Sequence, residues 1–300
     1  MPLKKRKILI SNEDPAKEFV SCDFSPRNEK LLVTTSAKSE ARVIIWNWDK
    51  QRCIAFADLV PSPRTATVEQ VSFSTVDPGV VVVTGTDFYR YLKLDGPTLK
   101  ILPNPIHRKE NDAHFSNNYT CHAWLHDGRF VICNDHGQIM LLDSQGDYKG
   151  ITVGDPRKDS FPITAITTFV GVQSESGGAA AGQGNAARAG KSGFVVAGES
   201  GRIRVFVKSD VDPKKPYVRV DTSDDLYPDP SQYSKETSPA SYMVYQDIDI
   251  HKINSLTLSP SEDMCVFTTS SNQIIKVPIH MERPNDQQKY EHLISSFHSK

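Results

Sequence analysis

A strand–turn–strand pattern recurs five times along this chain and limits its possible folds more than any other feature. In each copy, an apolar run leads through a tight polar turn into a second apolar run of similar length. The first runs are Leu31–Thr35, Val80–Thr84, Phe130–Asn134, Phe194–Ala197 and Cys265–Thr269. The second runs are Arg42–Asn47, Tyr89–Leu94, Gln138–Asp143, Arg202–Val207 and Gln273–Pro278. A supersecondary unit that repeats in this way buries its apolar faces by stacking on its neighbours, so we predict an all-β fold, the β-propeller.

Two details of the repeat indicate the WD40 type of propeller. Several turns place Gly or Asn where a tight hairpin needs a positive φ, as in Asp135–Gly137, Glu199–Gly201 and Ser270–Asn272. The pairs Trp46-Asn47 and Leu142-Asp143 are degenerate forms of the Trp-Asp dipeptide that gives WD repeats their name. The early copies are spaced at intervals that suit four-stranded blades of about 40–45 residues plus loops.

The repeat sets the expected domain boundaries. We expect a basic N-terminal tail over residues 1–18 and the propeller over residues 19–300. Its blades are predicted at about residues 19–60, 66–103, 117–154, 161–220 and 250–296, with a Gly/Ala-rich loop at 177–190 and a polar insertion at 221–242. A propeller hides its sheet edges by pairing its last blade with its first. Since Phe297–Ser299 resembles the opening of another repeat, we expect a ring that continues beyond residue 300 or is covered by a partner chain.

Composition narrows the class of partner. The net charge of −1 provides no basic field for a nucleic-acid backbone, so no nucleic-acid partner is expected. No apolar run reaches the length of about 18 residues that a membrane span needs, and the N-terminus lacks an apolar secretory segment, so no membrane partner is expected. The five cysteines are scattered and odd in number, which predicts reduced thiols in a cytoplasmic protein.

No motif of an enzyme or a cofactor site stands out. The best metal candidates are His107, His114, Cys121, His122, His126, Cys133 and His136, but their spacing matches no zinc pattern. We expect His122 and His136 to be hydrogen-bonded blade residues, and Cys121 and Cys133 to point into blade cores. The carboxylate pairs Asp224-Asp225 and Glu262-Asp263 lie in polar, turn-prone segments that predict solvated side chains. We therefore predict no catalytic residue, no cofactor and no metal.

Candidate partner-binding residues lie in the N-terminal cluster and in two long polar loops. Lys4, Lys5, Arg6 and Lys7 form the main basic cluster, which is interpreted as a solvated tail, a nuclear signal or a contact for an acidic surface such as tubulin. The loops at 103–118 and 221–242 offer Phe115, Tyr227 and Tyr233 as anchors. Trp46 and Trp48 lie on the same side of one strand, which favours packing between blades over recognition.

Short matches along nearly the whole chain suggest a family. They are Lys4–Glu13, Phe24–Pro26 with Leu31-Leu32, Val43–Trp48, Gln70–Phe73, His122–Trp124, Ile163–Ile166 and Leu258–Asp263. In these segments the chain resembles the cilia- and flagella-associated protein 57 family. The resemblance implies a WD-repeat propeller region that continues beyond residue 300 and precedes a long coiled coil. The sequence departs from the family in containing no coiled coil, and the loop at 177–190 is peculiar to it.

The resemblance also implies a location and partners. Members of the family reside on the axonemal doublet microtubule of the cilium or flagellum, where they help anchor inner dynein arms and support ciliary beating. The implied partners are inner dynein arm components, tubulin of the doublet microtubules, and other ciliary WD-repeat and coiled-coil proteins, within a large complex. The expected location is therefore the cytoskeleton of the cilium or flagellum.

Three functional hypotheses follow from the sequence. The leading one is a non-enzymatic scaffold of the axoneme, because propeller rims present many loops on a rigid support. The second is a WD-repeat adaptor in a nuclear or ubiquitin-ligase complex, for which the basic cluster at 4–7 is the only support. The third is a propeller hydrolase, which needs His, Asp or Glu at the starts of the innermost strands. Those starts are largely apolar, namely Phe19, Val68, Tyr119, Ile163 and Ile253.

Overall fold

A computed structural model describes residues 7–10, 18–36, 41–59, 67–103, 116–151, 162–171, 192–199, 203–208, 217–219, 252–278 and 291–294. Within these ranges the chain forms twenty β-strands and no α-helix. The strands assemble into five four-stranded sheets. None of the described segments is a helix that is long and apolar enough to cross a membrane.

Each sheet is formed by four strands that follow one another in the chain. The first sheet contains β1 (Phe19–Phe24), β2 (Leu31–Ser36), β3 (Arg42–Asn47) and β4 (Arg52–Asp58). The second contains β5 (Val68–Phe73), β6 (Val80–Gly85), β7 (Phe88–Asp95) and β8 (Thr98–Leu102), and the third β9 (Tyr119–Trp124), β10 (Phe130–Asn134), β11 (Ile139–Leu142) and β12 (Tyr148–Ile151). The fourth contains β13 (Ile163–Phe169), β14 (Gly193–Gly198), β15 (Ile203–Lys208) and β16 (Tyr217–Arg219). The fifth contains β17 (Ile253–Leu258), β18 (Met264–Thr269), β19 (Ile274–Pro278) and β20 (Glu291–Ile294).

This arrangement confirms the predicted repeat of four-stranded blades. In every sheet, strands that follow each other in sequence are also hydrogen-bonded neighbours. The β1–β2, β5–β6, β9–β10, β13–β14 and β17–β18 pairs are all antiparallel, and each has a register shift at one end. The five predicted inner-strand starts coincide with the first residues of these strands.

Two predicted strands are longer than the observed ones, and for Gln273–Pro278 the difference is one residue, since β19 begins at Ile274. The third copy was predicted as Gln138–Asp143, whereas β11 covers Ile139–Leu142. The carboxylate of Asp143 accepts the backbone N–H groups of Gln145 and Asp147, each at 2.9 Å. Because the side chain closes a turn at this point, the strand ends before Asp143.

The described residues divide into two compact units, residues 1–134 with 141–149, and residues 135–140 with 150–300. In the first unit, an apolar core lies between the first and second sheets. Its central members are Val33, Val43, Ile45, Val71, Phe73, Val81 and Leu92. In the second unit, a core lies between the fourth and fifth sheets. Its central members are Phe169, Val195, Val205, Ile253, Phe267 and Ile275.

Strand register decides which side chains link the first sheet to the second. Ser21 Oγ accepts the backbone N–H of Val71 at 3.1 Å, and Asp23 Oδ2 accepts that of Phe73 at 2.8 Å. The residues that alternate with Ser21 and Asp23 face the other way. By pairing register, Phe24 of β1 corresponds to Phe73 of β5. Phe73 is only 1% exposed, whereas Phe24 is 57% exposed.

Candidate functional site

A buried histidine connects the second sheet to β9 in the first unit. His122 Nε2 lies 2.7 Å from Ser72 Oγ, and His122 Nδ1 lies 2.9 Å from Thr84 Oγ1. The indole Nε1 of Trp124 donates to the same Ser72 oxygen at 2.9 Å. Gln70 completes the network, because its amide donates to the His122 carbonyl at 3.0 Å and accepts the His122 N–H at 2.9 Å.

The environment of His122 suits a structural role. Its residue is 1% exposed, and burial lowers the pKa of the imidazole to about 3. The ring is therefore neutral near pH 7 and has one donor and one acceptor nitrogen for its two hydroxyl partners. This confirms the prediction that His122 is a hydrogen-bonded blade residue. A ring with so little exposure cannot reach a substrate, so the network holds two sheets in register.

Two cysteines near His122 also lie in the core, as predicted. Cys121 and Cys133 are directly opposite each other in the β9–β10 pair, and both are buried. Burial, together with the neighbouring Cys121, raises the pKa of the Cys133 thiol well above its ordinary value. Among the described residues, no group of three or more His, Cys, Asp or Glu side chains is placed to hold a metal ion. His107 and His114 lie outside the described residues.

The degenerate Trp-Asp pair of the first sheet has a clear structural use. The Trp46 indole donates to Thr34 Oγ1 at 2.8 Å inside the sheet. The next residue, Asn47, accepts the backbone N–H of Lys50 at 2.9 Å and closes the turn after β3. Trp48 lies in that turn rather than in the strand, but it packs in the same cluster as Trp46. Both tryptophans therefore pack, but against their own sheet and Leu9 rather than between blades as predicted.

The N-terminal segment folds back onto the first sheet at this turn. Lys7 Nζ lies 2.6 Å from Asp49 Oδ1 and donates to the Asp49 carbonyl at 2.9 Å. It also lies 4.7 Å from the centre of the Trp48 ring, which is a cation–π distance. The Ile8 N–H donates to Gln51 Oε1 at 3.4 Å, and Leu9 packs against the Trp46 cluster. Lys7 is therefore attached to the sheet, unlike the solvated tail expected from sequence.

The attachment of Lys7 brings together a group of cations that the sequence separates. We call Lys7, Lys30 and Lys50 the basic rim. The Asp49 carboxylate lies among them, and its pKa is lowered first by the hydrogen bond and charge of Lys7 and then by the charges of Lys30 and Lys50. Of these cations, only Lys7 is a predicted partner-binding residue, because Lys30 and Lys50 belong to different turns and do not form a cluster in the sequence.

The other predicted partner-binding residues lie outside the described residues. This applies to Lys4, Lys5, Arg6, Phe115, Tyr227 and Tyr233. Lys7 is thus the one predicted site residue whose contacts the structure describes.

The structure describes only one of the two carboxylate pairs that the sequence analysis considered. Asp224-Asp225 lies outside the described residues. Glu262 does lie in a turn, as predicted, but the expectation of a solvated carboxylate is wrong, because its two oxygens accept the backbone N–H groups of Val170 at 2.7 Å and Gly171 at 2.9 Å. It ties the turn after β17 to the end of β13. No local sequence signal indicated this contact, which joins positions about 90 residues apart.

Comparison with curated proteins supports the predicted resemblance. The chain is 26% identical over 329 aligned residues to cilia- and flagella-associated protein 57 of Mus musculus, a match that covers 100% of this chain and 24% of the mouse protein. It is 25% identical over 301 residues to cilia- and flagella-associated protein 57 A of Tetrahymena thermophila, covering 98% of this chain and 20% of that protein. The chain thus spans a quarter or less of the length of these relatives. No protein-family model matches it.

Comparison with solved structures supports the fold. The β-propeller domain of Cps50 (Swd1) from Myceliophteria thermophila superposes with a TM-score of 0.54 at 12% identity. The match covers 91% of this chain and 72% of that one. At this identity the likeness concerns the fold alone. Together with the five four-stranded sheets, it confirms the predicted WD40-type β-propeller.

Proposed function

We propose that this chain is a non-catalytic WD-repeat scaffold of the ciliary or flagellar axoneme. In this proposal it helps anchor or assemble inner dynein arms on doublet microtubules and so supports ciliary motility. The observation that carries the proposal is the similarity to two cilia- and flagella-associated proteins over at least 98% of this chain, on a WD40-type propeller. The names of both relatives agree with the predicted ciliary or flagellar location.

The described structure suits a scaffold. The starts of the inner strands, where a propeller hydrolase needs polar groups, are Phe19, Val68, Tyr119, Ile163 and Ile253. The imidazole of His122 is buried in a hydrogen-bonded network that joins two sheets. Within each compact unit, packed sheets with polar turns offer loop surfaces for partner contacts.

The proposed partners are inner dynein arm components, tubulin of the doublet microtubules, and other ciliary WD-repeat or coiled-coil proteins. The proposed contact residues remain Lys4, Lys5, Arg6 and Lys7, with Phe115, Tyr227 and Tyr233 in the loops. The proposed domain is the propeller over residues 19–300 after a basic tail over 1–18.

The test is a comparison of isolated axonemes from ciliated cells with and without the protein. Cryo-EM maps of the doublets should contain propeller density beside the inner dynein arms only when the protein is present. Inner-arm occupancy should fall in its absence, while the outer dynein arms serve as the internal control and stay unchanged. Recovery of abundant protein in the soluble cytoplasm, with none in axonemes and intact inner arms, would overturn the proposal.

A further inference from the structure

Hydrogen bonds between two turns hold in place the backbone that carries the basic rim. The Trp48 N–H donates to the Lys30 carbonyl at 3.1 Å, and the Trp48 indole donates to the Glu29 carbonyl at 2.6 Å. These bonds fasten the turn before β2 to the turn after β3. Lys30 and Lys50, one on each turn, are therefore presented together rather than on independent loops.

The basic rim has more cationic side chains than carboxylates that pair with them. Lys7 is engaged by Asp49, which leaves Lys30 and Lys50 as exposed cations. Within the described part of the chain, neither of these two side chains makes an ion pair. The carboxylates on the same two turns are Asp49 and Glu29. The protein as a whole carries a net charge of −1, so this local excess of cations is not a property of the average surface.

An apolar edge adjoins these cations. The Phe24 ring meets the Trp48 ring edge-on, with centroids 6.0 Å apart, and Phe24 is more than half exposed. Ile8, on the segment that Lys7 anchors, is also exposed. Cations beside exposed apolar side chains suit a peptide that carries both carboxylates and occasional apolar residues.

We propose that the basic rim is a docking surface for an acidic peptide segment, bound in extended form across Lys30 and Lys50. This inference deepens the proposed scaffold function, on which it rests, by assigning a partner class to the surface that Lys7 anchors. A nucleic acid is the less suitable ligand, because its backbone needs a wider basic field than one small patch on a protein with a slightly negative net charge.

Lys7 has a specific part in this surface. Its amine neutralises Asp49, which otherwise adds a free carboxylate between Lys30 and Lys50. Lys7 is also the residue that directly follows the basic residues 4–6 in the sequence. The Lys7→Ala variant is therefore expected to weaken acidic-peptide binding without unfolding the sheet, because the contact is a surface one.

The experiment measures binding of a fluorescein-labelled deca-glutamate peptide to the 300-residue chain by fluorescence anisotropy. The test variant is Lys30→Glu with Lys50→Glu, and the matched control is Lys93→Glu with Lys100→Glu. Each pair reverses two exposed lysines, so the net charge changes equally. We expect saturable binding that weakens between about 50 mM and about 200 mM salt. The test pair should lower affinity about tenfold or more, and the control pair less than about twofold.

Several outcomes would overturn the inference. They are the absence of saturable binding to the peptide, an equal loss in both variant pairs, and tighter binding of a single-stranded oligonucleotide of the same charge. Circular dichroism of each variant verifies the fold. Axonemal location of the unsubstituted protein separates the two proposals. If the protein binds the peptide but is absent from axonemes, only the proposed function is contradicted. If it is present in axonemes but does not bind the peptide, only the docking surface is contradicted.

Discussion

The His122 network predicts a specific loss of stability in mild acid. Burial lowers the pKa of His122 from 6.5 to about 3 in the folded chain. The folded state therefore keeps the ring neutral at pH 5, whereas the unfolded chain binds a proton there. A group whose folded pKa is depressed in this way gives its full stabilisation above pH 6.5, and this stabilisation is lost as pH falls from 6.5 towards 3.

The magnitude follows from the two pKa values. Between pH 7 and pH 5, the unfolded chain gains about 2 kcal/mol from protonation of this one imidazole. Any folded pKa below about 4 gives nearly the same figure at pH 5, so the prediction depends on the burial of the ring rather than on the exact pKa. A loss of this size is a large part of the stability of a typical domain.

The assay is urea denaturation at pH 7 and pH 5, followed by tryptophan fluorescence and repeated for a His122→Gln variant. Gln supplies a donor and an acceptor to Ser72 and Thr84 but does not titrate, and we expect it to cost about 1–3 kcal/mol at pH 7. Between the two pH values, the wild type should lose about 2 kcal/mol more than the variant. Equal losses in both proteins would refute the argument that a buried neutral His122 supports the fold.

Two further predictions concern packing. Phe73→Ala should destabilise the chain by about 3–5 kcal/mol, and Phe24→Ala at the corresponding position by far less, because only Phe73 is buried; similar thermal unfolding shifts for both would contradict the assigned register. Gly193→Ala should lower the unfolding temperature sharply, because the added Cβ would lie 2.0 Å from the Phe206 carbonyl oxygen. Gly79→Ala is its control, since its Cβ would come no closer than 3.3 Å to any atom, and equal effects of the two substitutions would argue against close packing at Gly193.

The fold was predictable from sequence because its information is local and repeated. The pattern that predicts each hairpin lies within about 15 residues and consists of two apolar runs and a turn that needs Gly, Asn or Asp. Five imperfect copies then support one another, so the weak Tyr89–Leu94 copy is read correctly by analogy, and β7 indeed spans Phe88–Asp95. Strand ends were less predictable, since the Asp143 side chain ends β11 through contacts that apolar patterning does not encode.

The candidate site was much less predictable, because its contacts join distant positions. Lys7 and Asp49 are 42 residues apart, and the imidazole of His122 meets hydroxyls 50 and 38 residues away. A sequence shows that Lys7 is basic and that Glu262 lies in a turn, but it does not show which backbone or carboxylate each will meet. A charged side chain is usually solvated, so this is the reasonable expectation from sequence, but it is wrong for both Lys7 and Glu262.

The inner strands show why one repeat supports both stability and recognition. The same strand position is occupied by Phe24 in β1, Phe73 in β5 and Trp124 in β9. Phe73 packs in the core between two sheets, and Trp124 donates to Ser72 of the preceding sheet. Phe24 keeps the aromatic character of the position but remains exposed beside Trp48 and the basic rim. At this position the repeat therefore supplies an exposed aromatic side chain, Phe24, which forms the apolar edge of the proposed docking surface.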